Sequence, residues 1–404
     1  MSTQTPWPIR QSGATAGSPG HILQLLRSGA ATTRPQLVEL TKASRSAISQ
    51  RVDALIEAGL VVEDGPTEST GGRPAQRLRF APDRGVVLVA ALGATRAHIA
   101  ITDLVGAVQA ELVEDLSIGE GPKRVLDWVR EKFDALLEQL GLSPDVIVGI
   151  GVGLPGPVEH SSGRAVSPPI MPGWDAYPVP DHFADLDVPV LVDNDVNIMA
   201  LGEYWASWRT EVDDLLFIKV GTGIGCGIVA SGSIHRGSQG AAGDLGHVQL
   251  HGNDEATCGC GNVGCVEAVA GGRAIADALR QKGYDTHDAR AVVELVVAGD
   301  REATRLVREA GRLLGQVVAA AVNFFNPSVI VIGGDIADAH EQLLAGVREV
   351  VYQRSLPLAT RNLRLVPAKL GAGAGVRGAA TMVVEHVLAP AAVDQRVSSG
   401  GGRH

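Results

Sequence analysis

Aromatic residues are scarce in this chain, and the signals of several protein classes are missing. Phe, Trp and Tyr make up 4% of the 404 residues, so small and branched aliphatic side chains must supply most of a hydrophobic core. No apolar run reaches the roughly eighteen residues that a membrane-spanning helix needs. The polar first residues, 1–17, lack the apolar stretch of a secretory signal. We therefore expect a cytoplasmic protein with no membrane partner.

Positive charge is also in short supply, but it is unevenly distributed. The chain carries a formal net charge of −10 at pH 7. Residues 1–62 contain six Lys or Arg and three Asp or Glu, so this segment is +3 and the remainder is −13. A mildly basic N-terminal segment on an acidic body is compatible with DNA contact through that segment alone.

Cysteine is rare, and three of the four cysteines lie close together in the sequence. Cys258, Cys260 and Cys265 follow His247, with glycines between them that allow a tight backbone turn. In a reducing compartment such a cluster favours a metal over disulfides. One imidazole and three thiolates satisfy tetrahedral zinc and leave no position for a catalytic water, so the predicted Zn²⁺ is structural. A set of buried free thiols is the alternative.

The N-terminal segment has the pattern of a winged helix-turn-helix. Capping residues and apolar positions at helical spacing predict three short helices within 18–59, the last two joined by a tight turn. Strands 60–63 and 77–80 flank a loop rich in glycine and proline, as in a wing. The exposed face of the third helix and the wing loop supply the predicted DNA contacts, which are Arg45, Ser46, Ser49, Gln50, Arg51 and Arg73. A solvated helix face is the alternative for the helical positions.

From residue 85 onward, apolar strands alternate with helical stretches, which predicts an α/β architecture. Asn194 and Asp195 follow a buried strand. Asp195 is a candidate general base toward a hydroxyl, and Asn194 a candidate ligand of a neighbouring hydroxyl, with a capped helix start as the alternative. The glycine-rich loop 221–227 can offer backbone N–H groups to phosphate, although such turns between strands are common without a ligand.

These motifs, in this order, resemble the ROK family, named for repressors, open reading frames and sugar kinases. The resemblance covers about residues 18–386, and the head with Gly72-Arg73-Pro74 is similar to the repressor branch. It is carried by short motifs, which are Gly153-Leu154-Pro155-Gly156-Pro157-Val158, Gly173-Trp174, Asn194-Asp195, Gly221-Thr222-Gly223-Ile224-Gly225, Gly243-Asp244-Leu245-Gly246-His247, Cys258-Gly259-Cys260 and Cys265-Val266-Glu267.

The resemblance implies both a fold and a ligand. The expected fold class is α/β, with an N-terminal winged helix-turn-helix followed by a two-lobed actin-like (ribonuclease H-like) sugar-kinase fold that holds a sugar between its lobes. The positions matching the family's sugar contacts are Asn194, Asp195, Asp244, His247 and Glu267. Asp244 stands where the family normally has glutamate, and His247 would serve both zinc and sugar.

One departure from the family pattern bears on catalysis. Active kinases of this kind read Asp-x-Gly-x-Thr at the first strand, and this chain has Ala91 at the aspartate position. Phosphoryl transfer depends on positioning and charge around a metal, which alanine does not supply. We therefore expect no kinase activity, with Asp195 as a vestigial base. The remaining vestiges of phosphate loops are Gly93, Thr95, Gly221, Thr222, Gly223 and Gly225.

The predicted organisation is a disordered arm (1–17), a DNA-binding domain (18–82), a first lobe (83–199, completed by 372–389), a second lobe with the zinc site (200–371) and a disordered tail (390–404). The expected function is a sugar-responsive regulator, a repressor that binds double-stranded operator DNA as a homodimer or homotetramer. The alternative is an ATP-dependent hexose kinase, alone or combined with DNA binding.

Overall fold

A computed structural model describes residues 15–66, 75–339 and 341–400 of the chain. Its head consists of α1 (Pro19–Arg27), α2 (Arg34–Thr41), α3 (Arg45–Glu57) and the antiparallel strands β1 (Val61–Pro66) and β2 (Gln76–Phe80). Side chains of Ser18, Thr33 and Ser44 accept backbone N–H groups of the first helical turns, as good N-caps do. The predicted helix-turn-helix with a strand pair is confirmed, and the wing loop with Arg73 lies outside the described residues.

The first lobe is built on a five-stranded mixed sheet. Its strands are β3 (Val86–Leu92), β4 (Arg96–Thr102), β5 (Val108–Asp115), β6 (Ile147–Leu154) and β9 (Val190–Asn194), with β7 (Val158–Glu159) and β8 (Arg164–Ala165) forming a small hairpin beside them. The strand order is β5-β4-β3-β6-β9, and β3, β6 and β9 are parallel. Helix α4 (Pro122–Leu140) buries its apolar stripe against one face. The carboxyl ends of the parallel strands therefore meet at one edge, where ligands of open α/β sheets bind.

The second lobe repeats this plan. Its sheet has the order β12-β11-β10-β13-β14. The strands are β10 (Leu215–Val220), β11 (Ile224–Ala230), β12 (Ser233–Ile234), β13 (Val329–Gly333) and β14 (Arg364–Pro367). The surrounding helices are α6 (Val266–Ala270), α7 (Gly272–Gln281), α8 (Ala289–Val297), α9 (Arg301–Phe325), α10 (Glu341–Arg354) and α11 (Pro357–Thr360).

Two helices pack against each other between these sheets, namely α5 (Asp195–Glu203) and α12 (Gly373–Val387). They cross through glycines, because a Cβ at Gly202 would collide with the carbonyl oxygen of Ala374 and a Cβ at Gly378 with that of Ile198. In the described part of the chain no single helix is long and apolar enough to cross a membrane. Helix α12 and residues 390–398 together have the length and apolar composition of a membrane span, but the two segments are bent by 53° relative to each other.

The expected disorder at both ends is partly wrong. Residues 390–400 form a helix, α13 (Pro390–Gly400), that packs against α1. Val393 is completely buried in the core of the head, and Asp394 Oδ1 accepts the backbone N–H of Gly20 at 2.7 Å. These tertiary contacts offset the weak helix-forming composition of the segment. At the other end Ser18 N donates to Thr15 O at 2.9 Å, so the chain already turns at 15–18; residues 1–14 and 401–404 lie outside the described part.

Candidate functional site

Helix α3 presents three of the predicted DNA contacts to solvent. Arg45, Ser46 and Gln50 are exposed, and Ile48 on the opposite face is completely buried. Ser44 Oγ accepts the Ala47 N–H at 3.2 Å, which ends the tight turn and begins the helix. The first turns of α3 are therefore available to base edges in a major groove.

The other two predicted positions on α3 are partly buried and bonded within the head. Ser49 Oγ donates to Asp53 Oδ2 at 3.4 Å. Arg51 Nη1 donates to the carbonyl oxygen of Gly17 at 2.6 Å. The prediction of one exposed face is thus corrected at Arg51, whose guanidinium holds the segment before α1. A long side chain at the edge of a helix face can turn toward a neighbouring segment that the helical periodicity does not reveal.

An arginine that the sequence analysis passed over braces this head. Arg34, at the start of α2, bonds Asp53 of α3 at 2.7 Å and Glu63 of β1 at 2.5 Å. In the sequence, this role was indicated only by the position of Arg34 directly after the Thr33 cap, because a side chain there can reach acidic residues on neighbouring elements. One guanidinium with two carboxylates ties the turn to the strand that leads into the wing.

The four predicted zinc ligands come together. His247 ends a short 3₁₀ turn, Cys258 and Cys260 lie in a tight loop, and Cys265 precedes α6. Their ligand atoms all lie within 4.8 Å of one another. His247 Nδ1 is 3.6 Å from Cys258 Sγ, and Cys260 Sγ is 3.8 Å from Cys265 Sγ. Tetrahedral zinc with bonds of about 2.3 Å to sulfur and about 2.0 Å to nitrogen separates its ligands by roughly 3.5–3.8 Å, so the donor set fits the ion.

The chemistry of the thiols also fits a cation. Burial raises the pKa of Cys258, and burial together with the other two thiols raises that of Cys265 to about 12. The pKa of Cys260 is lowered instead, chiefly by the backbone N–H of Asn262. Two of the three thiols therefore resist ionisation, because burial disfavours the charged thiolate. A divalent cation at their centre reverses this balance, since coordination stabilises the thiolate.

Asp195 meets a lysine of the other lobe. Asp195 begins α5 at the edge of the first sheet and is 7% exposed. Its Oδ2 accepts from Lys219 Nζ, at the end of β10, at 2.5 Å. Burial opposes the charge on Lys219, but Asp195, Asp335 and Glu267 raise its pKa. The sequence indicates such a pair only through the lysine in an otherwise apolar strand, because a charged group in the core of a sheet needs a partner of opposite charge.

The residues before Asp195 are also engaged. Buried Asp193 pairs with Arg236 at 2.6 Å, a contact between elements far apart in sequence that sequence reasoning missed. Asn194 Oδ1 accepts the Val196 N–H at 2.9 Å, and its Nδ2 donates to Gly156 O at 2.8 Å. The Oδ1 atom of Asn194 therefore forms the capped helix start that was the alternative interpretation, and its Nδ2 atom bonds the loop after β6.

Glu267 connects the cluster of predicted zinc ligands to the glycine loop. Its Oε2 accepts the Ile224 N–H at 2.9 Å, and its Oε1 is 3.9 Å from Cys258 Sγ. Asp244, directly before the turn that ends at His247, is exposed, and partial burial of its carboxyl group raises its pKa. The predicted sugar-binding positions Asp244, His247 and Glu267 thus lie on one segment around the metal cluster.

The predicted phosphate motif of the first lobe forms the turn between β3 and β4. Gly93 N donates to Arg96 O at 2.8 Å, and Thr95 is exposed. Ala91 precedes this turn. A Cβ added to Gly375 of α12 would lie 3.0 Å from the Ala91 methyl group. Position 91 therefore adjoins the start of the helix that runs toward the head.

Known proteins resemble this chain over most of its length. The ROK family model matches residues 88–386. A xylose repressor of Caldicellulosiruptor bescii is 30% identical over 381 residues, covering 91% of this chain and 95% of that protein. The crystal structure of a ROK family transcriptional regulator, a homolog of the E. coli MLC protein, superimposes with a TM-score of 0.79 at 27% identity, covering 95% and 98% of the two chains. A ROK family glucokinase from Streptomyces griseus, in complex with glucose and AMPPNP, gives 0.64 at 26% identity, covering 74% of this chain and 99% of that one.

The fold and site thus define a class of protein, a winged helix-turn-helix head joined to a two-lobed actin-like sugar-kinase fold. The chain belongs to the ROK family.

Proposed function

We propose that this protein is a sugar-responsive DNA-binding transcriptional repressor, whose head binds operator DNA and whose two lobes bind a sugar effector. The main support for the proposal is how much of this chain aligns with the related regulators and with the related kinase. The xylose repressor and the ROK regulator match 91% and 95% of this chain, head included, and the glucokinase matches 74%. A DNA-binding head attached to a sugar-binding fold is what a sugar-controlled regulator requires.

Coupling between the lobes and the head follows from the continuous core. Helix α12 begins next to Ala91 and packs along α5, whose first residue is Asp195. At its far end Glu385 pairs with Arg27 of α1 at 3.2 Å. A sugar that favours one arrangement of α5 and α12 would therefore shift the population of head positions. In a homodimer or homotetramer, such a shift changes the spacing of two recognition helices on successive major grooves.

DNA binding is expected to depend on Arg45 and on salt. We expect Arg45→Ala to weaken binding to duplexes selected from a random library by about 1–3 kcal/mol, because an arginine at the start of a recognition helix bonds base edges. The logarithm of the wild-type binding constant should fall linearly with the logarithm of salt concentration, because phosphate contacts release counterions. Fluorescence anisotropy measures both.

Arg301→Ala is the matched control, since Arg301 is an exposed arginine at the start of α9 in the second lobe. It removes the same charge and should leave DNA affinity within about 0.5 kcal/mol of wild type. Equal losses for Arg45→Ala and Arg301→Ala would show that α3 does not read DNA.

Phosphorylation of a sugar by this protein is expected to be undetectable. Position 91 lacks the carboxylate of the kinase motif, and Asp195 is bonded to Lys219. Incubation with ATP, magnesium and a panel of hexoses, followed by product detection, is the measurement. Turnover within the range of about 1–100 per second found for kinases would contradict the proposal and favour the hexose kinase. Ala91→Asp tests whether the missing carboxylate is sufficient to explain the loss.

The His247, Cys258, Cys260 and Cys265 cluster is proposed to hold one structural zinc. With four protein ligands the ion would supply no catalytic water. The ion would instead fix the position of Glu267, which follows Cys265 by two residues and accepts a hydrogen bond from the glycine loop. Zinc would thus hold the predicted sugar-binding segment in place.

A further inference from the structure

A buried carboxylate and an arginine join the two lobes beside the predicted sugar-binding residues. Asp193 lies near the end of β9 in the first lobe, and its side chain is 2% exposed. Arg236 lies in the second lobe, on the loop between β12 and the turn that ends at His247. Its Nε and Nη2 atoms approach Asp193 Oδ2 at 2.8 and 2.6 Å. Two contacts from one rigid guanidinium fix both the distance and the orientation of the two elements.

The other oxygen of the Asp193 carboxylate holds the segment that follows β9. Asp193 Oδ1 accepts the backbone N–H of Asn194 at 2.8 Å and the Nδ2 group of Asn197 at 2.9 Å. Asn197 is a buried residue of the first turn of α5, so the two bonds lie on either side of Asp195. The positions of Asn194 and Asp195 therefore depend on Asp193, whose own position depends on Arg236.

The loop after Arg236 carries this connection to a predicted sugar-binding position of the second lobe. Ala242 N donates to Arg236 O at 3.1 Å, so the loop closes on itself just before Asp244. Gly240 has a φ of +91°, and a Cβ there would collide with the carbonyl oxygen of Val158 on β7. The loop thus contacts the first lobe at two points, through the Arg236 side chain and through the Gly240 backbone, and then leads directly to Asp244.

We propose that Arg236 is a positioning residue for the sugar effector, which acts through Asp193 to hold the predicted sugar-binding residues of the two lobes in register. Those residues are Asn194 and Asp195 in the first lobe and Asp244 in the second. The proposal rests on the proposed function, because it concerns the same cleft. Without the guanidinium, an unbalanced charge would remain buried at the end of β9 and would have to move toward water or take up a proton. Either change displaces Asn194, whose N–H group the same carboxylate accepts.

The sugar affinity of Arg236→Met tests the proposal in the full-length protein. The probe is the sugar, among free xylose, glucose, mannose and N-acetylglucosamine, that gives the wild type the largest thermal shift. Calorimetry at a temperature at which both proteins are folded gives its Kd. We expect the Kd to rise about ten- to a hundredfold, as when the partners that orient binding side chains are removed. A Kd equal to that of the wild type overturns the proposal.

DNA affinity in the absence of sugar separates positioning from general damage to the fold. Breaking a buried ion pair lowers stability whether or not the pair positions a ligand, so stability alone does not distinguish the two roles. We expect Arg236→Met to keep its affinity for selected DNA within about twofold of wild type, because the recognition helix belongs to a separate part of the chain. Equal losses of sugar affinity and DNA affinity overturn the proposal.

Arg130→Met is the matched control. Arg130 of α4 bonds Asp185 with Nη1 and Nη2 at 3.0 and 2.8 Å. Its side chain is 27% exposed, compared with 25% for Arg236. Both members of this pair lie in the first lobe, so the pair does not join the lobes. Its loss should leave the Kd for the sugar within about twofold of wild type, and equal losses of sugar affinity in the two variants contradict the role of Arg236.

A milder variant keeps the proposal testable if Arg236→Met does not fold. Arg236→Lys retains the charge but replaces the rigid fork by a flexible point charge, so we expect a smaller rise in Kd. In an Asp193→Asn background the same substitution should have less effect, because the carboxylate that it addresses is gone. A wild-type Kd in Arg236→Lys, or fully additive losses in the double variant, overturns the action of Arg236 through Asp193.

Failure of the proposed function has a different signature. Wild-type protein that binds selected DNA but is shifted by none of the four sugars would refute the sugar response itself and this proposal with it. Wild-type protein that binds a sugar with the same Kd as Arg236→Met would keep the proposed function and refute the positioning role alone.

Discussion

Purified Cys258→Ser protein is expected to hold well under one zinc per chain, and its free energy of unfolding should fall by about 4 kcal/mol, as for loss of a structural metal. Cys258 is buried, its Sγ is 3.6 Å from His247 Nδ1, and it approaches Glu267 at 3.9 Å. Losing this thiolate opens the tetrahedral set and frees the segment that carries Glu267. Metal analysis and thermal unfolding measure the two effects, and we expect the sugar-induced thermal shift to disappear as well.

Cys226→Ser is the matched control for this experiment. Cys226 is a buried cysteine outside the cluster, and burial raises the pKa of its thiol to about 12, as expected of a neutral group in an apolar site. Its replacement should cost about 1–2 kcal/mol and leave the zinc content unchanged. Wild-type protein without zinc, or equal effects of the two substitutions, would contradict the structural zinc site.

Gly378→Ala is expected to lower the free energy of unfolding by more than about 4 kcal/mol, an effect reserved for severe steric conflict in a core. The added methyl group would collide with the carbonyl oxygen of Ile198 on α5 and approach the Gly202 backbone. Backbone atoms of two packed helices cannot move aside as the end of a long side chain can. Denaturation by urea, followed by circular dichroism, gives the loss.

Gly373→Ala, at the first position of the same helix, provides the comparison. A Cβ at Gly373 meets nothing within 4 Å. Alanine there should be neutral or stabilise the protein by up to about 1 kcal/mol, because it restricts the unfolded chain and favours the helix. If Gly378→Ala unfolds at the same urea concentration as Gly373→Ala, the close crossing of α5 and α12 is wrong.

The consequences of that crossing extend beyond stability. Helix α5 begins with Asp195, which is bonded to Lys219, and α12 continues toward the Glu385–Arg27 pair at the head. Two helices in backbone contact move together, since there is no compliant side-chain layer between them. Partly destabilising changes at this crossing are therefore expected to alter the sugar response before they abolish DNA binding.

The sequence by itself determined the features that depend on neighbours along the chain. Helix starts in the head could be predicted because the side chains of Ser18, Thr33 and Ser44 each accept the backbone N–H three residues later. The cluster of His247 with three cysteines was predictable because the cysteines lie within one short loop. The α/β class was predictable because its strands are apolar runs separated by helices. Family motifs then identified the two-lobed fold.

Only the tertiary structure decided which distant groups meet. Lys219 and Arg236 find carboxylates on elements far away in sequence, Glu267 fills the glycine loop, and Arg51 turns toward Gly17. The segment after residue 390 has the composition of a disordered tail, and an eleven-residue helix is marginal alone in water. It is helical here because Val393 is buried against the head and Asp394 bonds the start of α1. Local propensity does not include the free energy of burial against a surface formed by residues several hundred positions earlier.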